Sequence, residues 1–192
     1  VSASLRRVAV KISKICNDLR LLSSGPRCGL AEIRLPARQP GSSIMPGKVN
    51  PVIPEVVNQV AFQVMGNDLA VTLAAEAGQL ELNVMEPVMV FNLFQSIDML
   101  TRAFDTLRTR CLEGIEVDAE RCRTMVYNSI GIVTALLPVI GYGPSTEIAK
   151  EALETGRSVM DIAVEQGRLT REQVEEIMDP VAMTRPTRVG RA

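Results

Sequence analysis

The chain has 192 residues, 46% of them hydrophobic and 22% charged, and its formal net charge is −1. That balance allows a substantial core and excludes intrinsic disorder, a basic nucleic-acid footprint and an acidic tail. No histidine is present, which removes the commonest general base and any zinc site of mixed His and Cys ligands.

Val1, not Met, opens the chain directly on a helical pattern, with no secretory signal before it; the chain reads as a fragment. Leu5, Val8, Ile12, Ile15, Leu19 and Leu22 recur at spacings of three and four and predict one apolar helical stripe. Ser23-Ser24-Gly25-Pro26 ends it, because Gly suits a helix C′ position and Pro cannot continue the helix. Residues 25–51 then lose helical periodicity and hold Pro26, Pro36, Pro40, Pro46 and Pro51. Irregular segments of that length inside compact domains are usually functional or disordered.

A second helix is predicted over 54–77, about 36 Å long at 1.5 Å per residue, with Val56, Val57, Val60, Val64, Val71 and Ala74 facing the core. A third is predicted from Asn83, which would cap it with Glu86 at the capping-box position; Pro87 is tolerated in the first turn. Val90, Leu93, Ile97, Leu100, Phe104, Leu107 and Cys111 continue its stripe to Gly114, and Met85, Met89 and Met99 read as core residues. From Val88 to Phe94 this helix is apolar nearly all round and needs partners on every side, so a bundle completed by other chains is expected.

After Gly114 shorter helices are predicted over 118–127, 145–154, 158–165 and 170–178, capped by Asp118, Ser145, Ser158 and Thr170, with Asp179-Pro180 ending the last. The expected class is all-α: residues 1–117 as part of a long-helix domain, residues 118–192 as a smaller helical domain, and no convincing strand. Ile130–Gly143 is too short to span a bilayer, so no membrane is expected. Cys16, Cys28, Cys111 and Cys122 show no CxxC spacing and read as reduced thiols of a cytoplasmic protein. Tyr127 and Tyr142 receive no role, and Arg185, Arg188 and Arg191 read as a solvated tail.

The segment from Gly41 to Pro51, GSSIMPGKVNP, concentrates the chemistry. It is not a phosphate loop: five residues separate Gly41 from Gly47, and Val49 stands where Ser or Thr would follow Lys48. It offers two hydroxyls, one cation, one amide and several backbone N–H groups, flanked by Gly and Pro that permit a hinged loop. Such a set can hold a carboxylate, with Lys48 supplying charge, Asn50 directed donors, and the N–H groups an oxyanion site. A serine beside those donors could act as a base. The same composition also fits an ordinary turn between helices.

GSSIMPGKVNP resembles the signature loop of the aspartase/fumarase superfamily, GSSxMPxKxNP; SGPRCGLAEI, NQVAFQVMGND and GQLELN accompany it, and the resemblance extends over the whole chain. The resemblance implies a mostly helical, bundle-forming fold and a homotetramer whose active sites each draw on three subunits. Two of the three contributing segments would lie upstream of Val1, so this chain alone is expected to be inactive. It implies that Ser42 is the catalytic base and that backbone N–H groups near Ser43, Ile44 and Met45 hold an aci-carboxylate intermediate. Lys48 and Asn50 would grip substrate carboxylates. Glu55 would pair with a histidine supplied from elsewhere, although a carboxylate at a helix N-terminus is also favoured by the dipole alone.

Leu82-Asn83-Val84-Met85-Glu86-Pro87 and Ala74–Gln79 resemble the aspartase branch, which implies a carbon–nitrogen lyase converting L-aspartate reversibly to fumarate and ammonia. The role of Glu86 in that choice does not follow from its chemistry, since it can simply serve its helix. The alternatives are a class II fumarase hydrating fumarate to L-malate, and a non-catalytic helical structural module. No cofactor is expected; some relatives respond to divalent cations, but no ligand cluster here supports a metal site.

Overall fold

The computed structural model describes residues 1–41 and 44–185. The chain divides into two compact units at Asp118/Ala119, and both are built from helices. Among the described residues no single helix is long and apolar enough to cross a membrane.

The first unit packs three long helices, α1 (Ser2–Leu22), α2 (Val52–Glu76) and α3 (Glu86–Arg110). The shared seam is lined by Ala9, Ile12, Cys16, Val57, Ala61, Val64, Leu100, Ala103, Leu107 and Cys111. Small residues at Ala9, Ala61 and Ala103 let the helix backbones approach, while Leu107 and Val64 fill the space between them. The predicted stripes are therefore corrected. Val8, Ile15, Val56, Val90, Ile97 and Phe104 are exposed in this chain, and the seam runs one position away from several of them. Met85 is exposed as well and is not a core residue here.

Polar rungs cross the same seam, a feature the apolar pattern concealed. Asn58 Nδ2 donates to the Ser13 carbonyl (3.0 Å) and to Ser13 Oγ (2.9 Å). Asn67 Nδ2 donates to Gln95 Oε1 (2.9 Å) and Ser96 Oγ (3.0 Å), and its Oδ1 accepts from Gln63 (2.8 Å). Asp68, almost wholly buried, accepts from Ser2 Oγ (2.6 Å) and pairs with Arg6 (3.3 Å). Among the described residues no buried side-chain polar atom lacks a partner, so these rungs fix the axial register of the helices without a desolvation penalty left standing.

Asn83 does not cap α3. It donates to the Ala74 carbonyl at the end of α2 (2.9 Å) and accepts from the Met85 N–H (2.8 Å), so α3 starts three residues later, at Glu86. The short connection reverses the chain tightly, and an Asx-type turn serves both helix ends. Two short strands escaped the sequence reading: β1 (Ile33–Arg34) pairs antiparallel with β2 (Glu116–Val117), with Ile33 opposite Val117. Two-residue strands carry no period, so only their distant partner identifies them.

The second unit runs α4 (Ala119–Tyr127), a 3-10 segment (Ile130–Leu136) leading into α5 (Leu137–Ile140), then α6 (Tyr142–Thr155), α7 (Val159–Glu165), α8 (Arg171–Ile177) and α9 (Pro180–Met183). Leu136, Ile148, Ile162, Val174 and Met178 form its core. Ser158 caps α7, and Thr170 with Gln173 forms a capping box on α8, as the sequence predicts. Ser145 is not a cap: α6 begins at Tyr142, and Ser145 Oγ donates back to the Gly141 carbonyl at 2.7 Å. α8 ends just before Asp179-Pro180, as the sequence predicts, and Pro180 then opens α9, since Pro fits a first helical turn. Arg185 is exposed, whereas Arg188 and Arg191 lie outside the described residues.

Candidate functional site

The signature segment leaves β1 and enters α2, and its stem is anchored before it reaches Gly41. Leu35 packs against the three-helix core. Pro36 lies so close to Gly114 that a Cβ there would meet Pro36 Cγ at 2.6 Å. Arg38 Nε donates to the Arg110 carbonyl at 2.7 Å, placing a cation at the negative end of α3.

At the segment's base the two limbs meet. The Gly41 N–H donates to the Lys48 carbonyl at 2.7 Å, and Asn50 Nδ2 donates to the Gly41 carbonyl at 2.9 Å. The approach requires glycine: a Cβ on Gly41 would stand 2.5 Å from the Lys48 oxygen and 3.0 Å from the Asn50 nitrogen. The Lys48 N–H donates to the Met45 carbonyl (3.2 Å), closing a turn through Gly47, whose φ of +79° is a left-handed value. The Val52 N–H then donates to the Asn50 carbonyl (2.9 Å), starting α2 directly from the segment.

Of the candidate residues, Ser42 and Ser43 lie outside the described residues. Ile44, Met45 and Lys48 are exposed, and Asn50 is partly buried. Glu55 sits in the first turn of α2, partly buried, where the helix dipole favours its charge. Among the described residues neither Lys48 nor Glu55 forms an ion pair, so their charges are not spent on each other. One Asn50 N–H is committed to Gly41, a role the sequence reading missed; the signal available was Gly directly before the serine pair. The segment also belongs to the basic stretch of its unit: residues 1–50 hold Arg6, Arg7, Lys11, Lys14, Arg20, Arg27, Arg34, Arg38 and Lys48 against Asp18 and Glu32. An exposed cation at Lys48 and a directed amide at Asn50 together suit an anionic ligand such as a carboxylate.

Other features are less suited to chemistry. A recess of about 270 Å³ in the second unit is lined by Tyr127, Ser129, Arg157 and Ser158. Its one cation, Arg157, pairs with Glu151 at 3.4 Å and with Glu165, and its serine hydroxyls cap helices. Among the described residues no group of three or more His, Cys, Asp or Glu is disposed to hold a metal ion. None of the four cysteines is in a disulfide. Burial, then the neighbouring Cys111, pushes the Cys16 thiol up to about 11, with Arg20 opposing; burial likewise raises Cys111, with Arg38 opposing.

Comparison with known proteins agrees with this architecture. Residues 1–66, which include the signature segment, match the family model described as Lyase, and residues 132–185 match that of the fumarase C C-terminus. An aspartate ammonia-lyase from Helicobacter pylori is 63% identical over 186 residues, 97% of this chain and 40% of that protein. The structure titled fumarate lyase:delta crystallin from Brucella melitensis bound to cobalt superposes with a TM-score of 0.89 at 59% identity, covering 96% of this chain and 40% of that one. A class II fumarase from Schistosoma mansoni superposes with a TM-score of 0.88 at 38% identity, covering 95% of this chain and 38% of that one. The chain thus spans about 40% of the length of the curated relatives it matches.

Proposed function

We propose that this chain, which belongs to the aspartase/fumarase superfamily, forms the C-terminal part of an aspartate ammonia-lyase. The observation that carries the reading is the gap between 63% identity to an aspartate ammonia-lyase and 38% to a class II fumarase over almost the same residues. The fold alone does not make this choice, since the fumarate lyase and the class II fumarase structures both superpose on it.

In this reading Ser42 takes the proton from the substrate carbon beside the β-carboxylate. The electron pair moves into that carboxylate, and the resulting dianion accepts hydrogen bonds from N–H groups at Ser43, Ile44 and Met45. The pair then returns to form the carbon–carbon double bond as the carbon–nitrogen bond breaks and ammonia leaves. Lys48 and Asn50 hold the substrate's carboxylates, and the Gly41 clamp at Asn50 orients that side chain toward the segment. Glu55 orients a histidine contributed from outside this chain. The reading assigns no cofactor, because each proton and charge has a side chain or a backbone group to receive it.

The reading further places the protein in the cytoplasm as a homotetramer with active sites shared between three subunits. The exposed apolar faces of α2 and α3 support an oligomer, since monomers rarely leave such surfaces open. The test is the ultraviolet absorbance of fumarate formed by the complete protein from L-aspartate and, separately, from L-malate. Activity on aspartate is expected. Activity on malate alone would replace the reading with a fumarase, and activity on neither with a structural module. Ser42→Ala should lower kcat by about 10³-fold or more, the scale seen when a general base is removed; near-normal turnover would remove Ser42 as the base.

A further inference from the structure

The hydrogen bonds at the base of the signature segment carry an inference about Gly41, a residue with no reactive side chain. Its N–H and its carbonyl are both engaged across the base, by the Lys48 carbonyl at 2.7 Å and by Asn50 Nδ2 at 2.9 Å. The contact is closed by bare backbone, because any Cβ on Gly41 would collide with the Lys48 carbonyl carbon at 2.7 Å and its oxygen at 2.5 Å. Backbone atoms cannot swing aside as a flexible side chain would.

We propose that Gly41 and Asn50 form a clasp that holds the two ends of the 41–50 segment together, with Gly41 acting as a positioning residue. The clasp ties down the stretch beyond Lys48 through Asn50, which hands the chain to α2 through the Val52 N–H. Arg38 secures the incoming limb on the Arg110 carbonyl. The segment therefore has fixed feet at Gly41 and Asn50. A fixed base matters because an ångström of displacement in a group that meets substrate costs orders of magnitude in rate. Asn50 thereby has two duties: one amide hydrogen on Gly41, and the other, without an acceptor among the described residues, for an anion.

The test uses the complete protein and reads the clasp first without any substrate. Lys48 is exposed and followed by Val49, so trypsin can cut there, at a rate set by how often the base opens. Gly41→Ala and Asn50→Ala should each speed that cut by about tenfold, the scale of one or two lost hydrogen bonds. The double variant should add little to either, because both remove the same clasp. Circular dichroism melting establishes that each variant is folded, and Asn50→Ala keeps the test open if Gly41→Ala does not fold. Cleavage within twofold of the parent in both single variants overturns the proposal. A second arm, which rests on the ammonia-lyase reading, measures deamination. Gly41→Ala should lower kcat at least tenfold with KM within threefold, whereas Asn50→Ala should also raise KM. An Asn50→Ala variant that raises KM alone, with cleavage and kcat unchanged, shows a ligand-binding residue only and also overturns the clasp. If the parent deaminates nothing, the functional reading fails while the proteolysis still decides the clasp.

Discussion

Replacing Phe94 by Asp should dissociate the oligomer proposed from the exposed apolar faces of α2 and α3. Phe94 is 68% exposed in the isolated chain and Phe91 is 63% exposed, although both lie mid-helix in a stretch with almost no polar face. On α2, Phe62, Leu69 and Leu73 recur at helical spacing and are also open. A phenylalanine offers about 200 Å² of surface, so about 140 Å² of Phe94 awaits a partner. At about 25 cal/mol per Å² that is about 3.5 kcal/mol per copy, or about three hundredfold in an association constant. A carboxylate in the same place adds its own desolvation cost. Sedimentation velocity of the complete protein over a concentration series reads the outcome. The parent should stay assembled where Phe94→Asp falls to smaller species. An unchanged distribution across the series refutes the argument that this face is an interface.

Two further outcomes follow from the first unit's core. Leu107 is only 2% exposed between the three long helices, so Leu107→Ala should cost about 3 kcal/mol through lost burial and a residual cavity. A lower urea midpoint at unchanged slope checks this, and a loss under about 1 kcal/mol contradicts it. Cys16, pushed up to about 11 from its ordinary value of 9.0 chiefly by burial, stays protonated in the fold when an unfolded thiol would ionise. Its contribution to stability is therefore full below pH 9.0 and lost as pH rises through about 11. Urea midpoints of the parent and of Cys16→Ala, measured across that interval, should differ in slope with pH. A chromogenic thiol reagent at neutral pH should meanwhile reach exposed Cys28 and spare Cys16 and Cys111 until unfolding.

The sequence by itself determined the parts that local chemistry dictates. Periodicity located α1, α2 and α3, because an amphipathic or all-apolar helix writes its 3.6-residue repeat into the chain. Ser158 and Thr170 announced their helices, since an N-cap hydroxyl needs only the next turn to be satisfied. The order GSSIMPGKVNP, a fingerprint of residue types and spacing, pointed to the superfamily before any fold was known.

The tertiary structure decided what depends on distant partners. Which face of α1 is buried was settled by Ala9 and Cys16 against α2 and α3, not by the larger Val8 and Ile15, because close backbone approach selects small residues. Asn83 became a bridge between helices rather than a cap, since the end of α2 competes for its amide. The polar rungs at Asn58 and Asn67 could be recognised only once Ser13, Gln95 and Ser96 stood opposite them. At the candidate site the sequence supplied the reactive residue types, and the fold supplied the closed base between Gly41 and Asn50. A contact made by one backbone against another leaves no trace in a composition or a period, except that the residue there has no side chain.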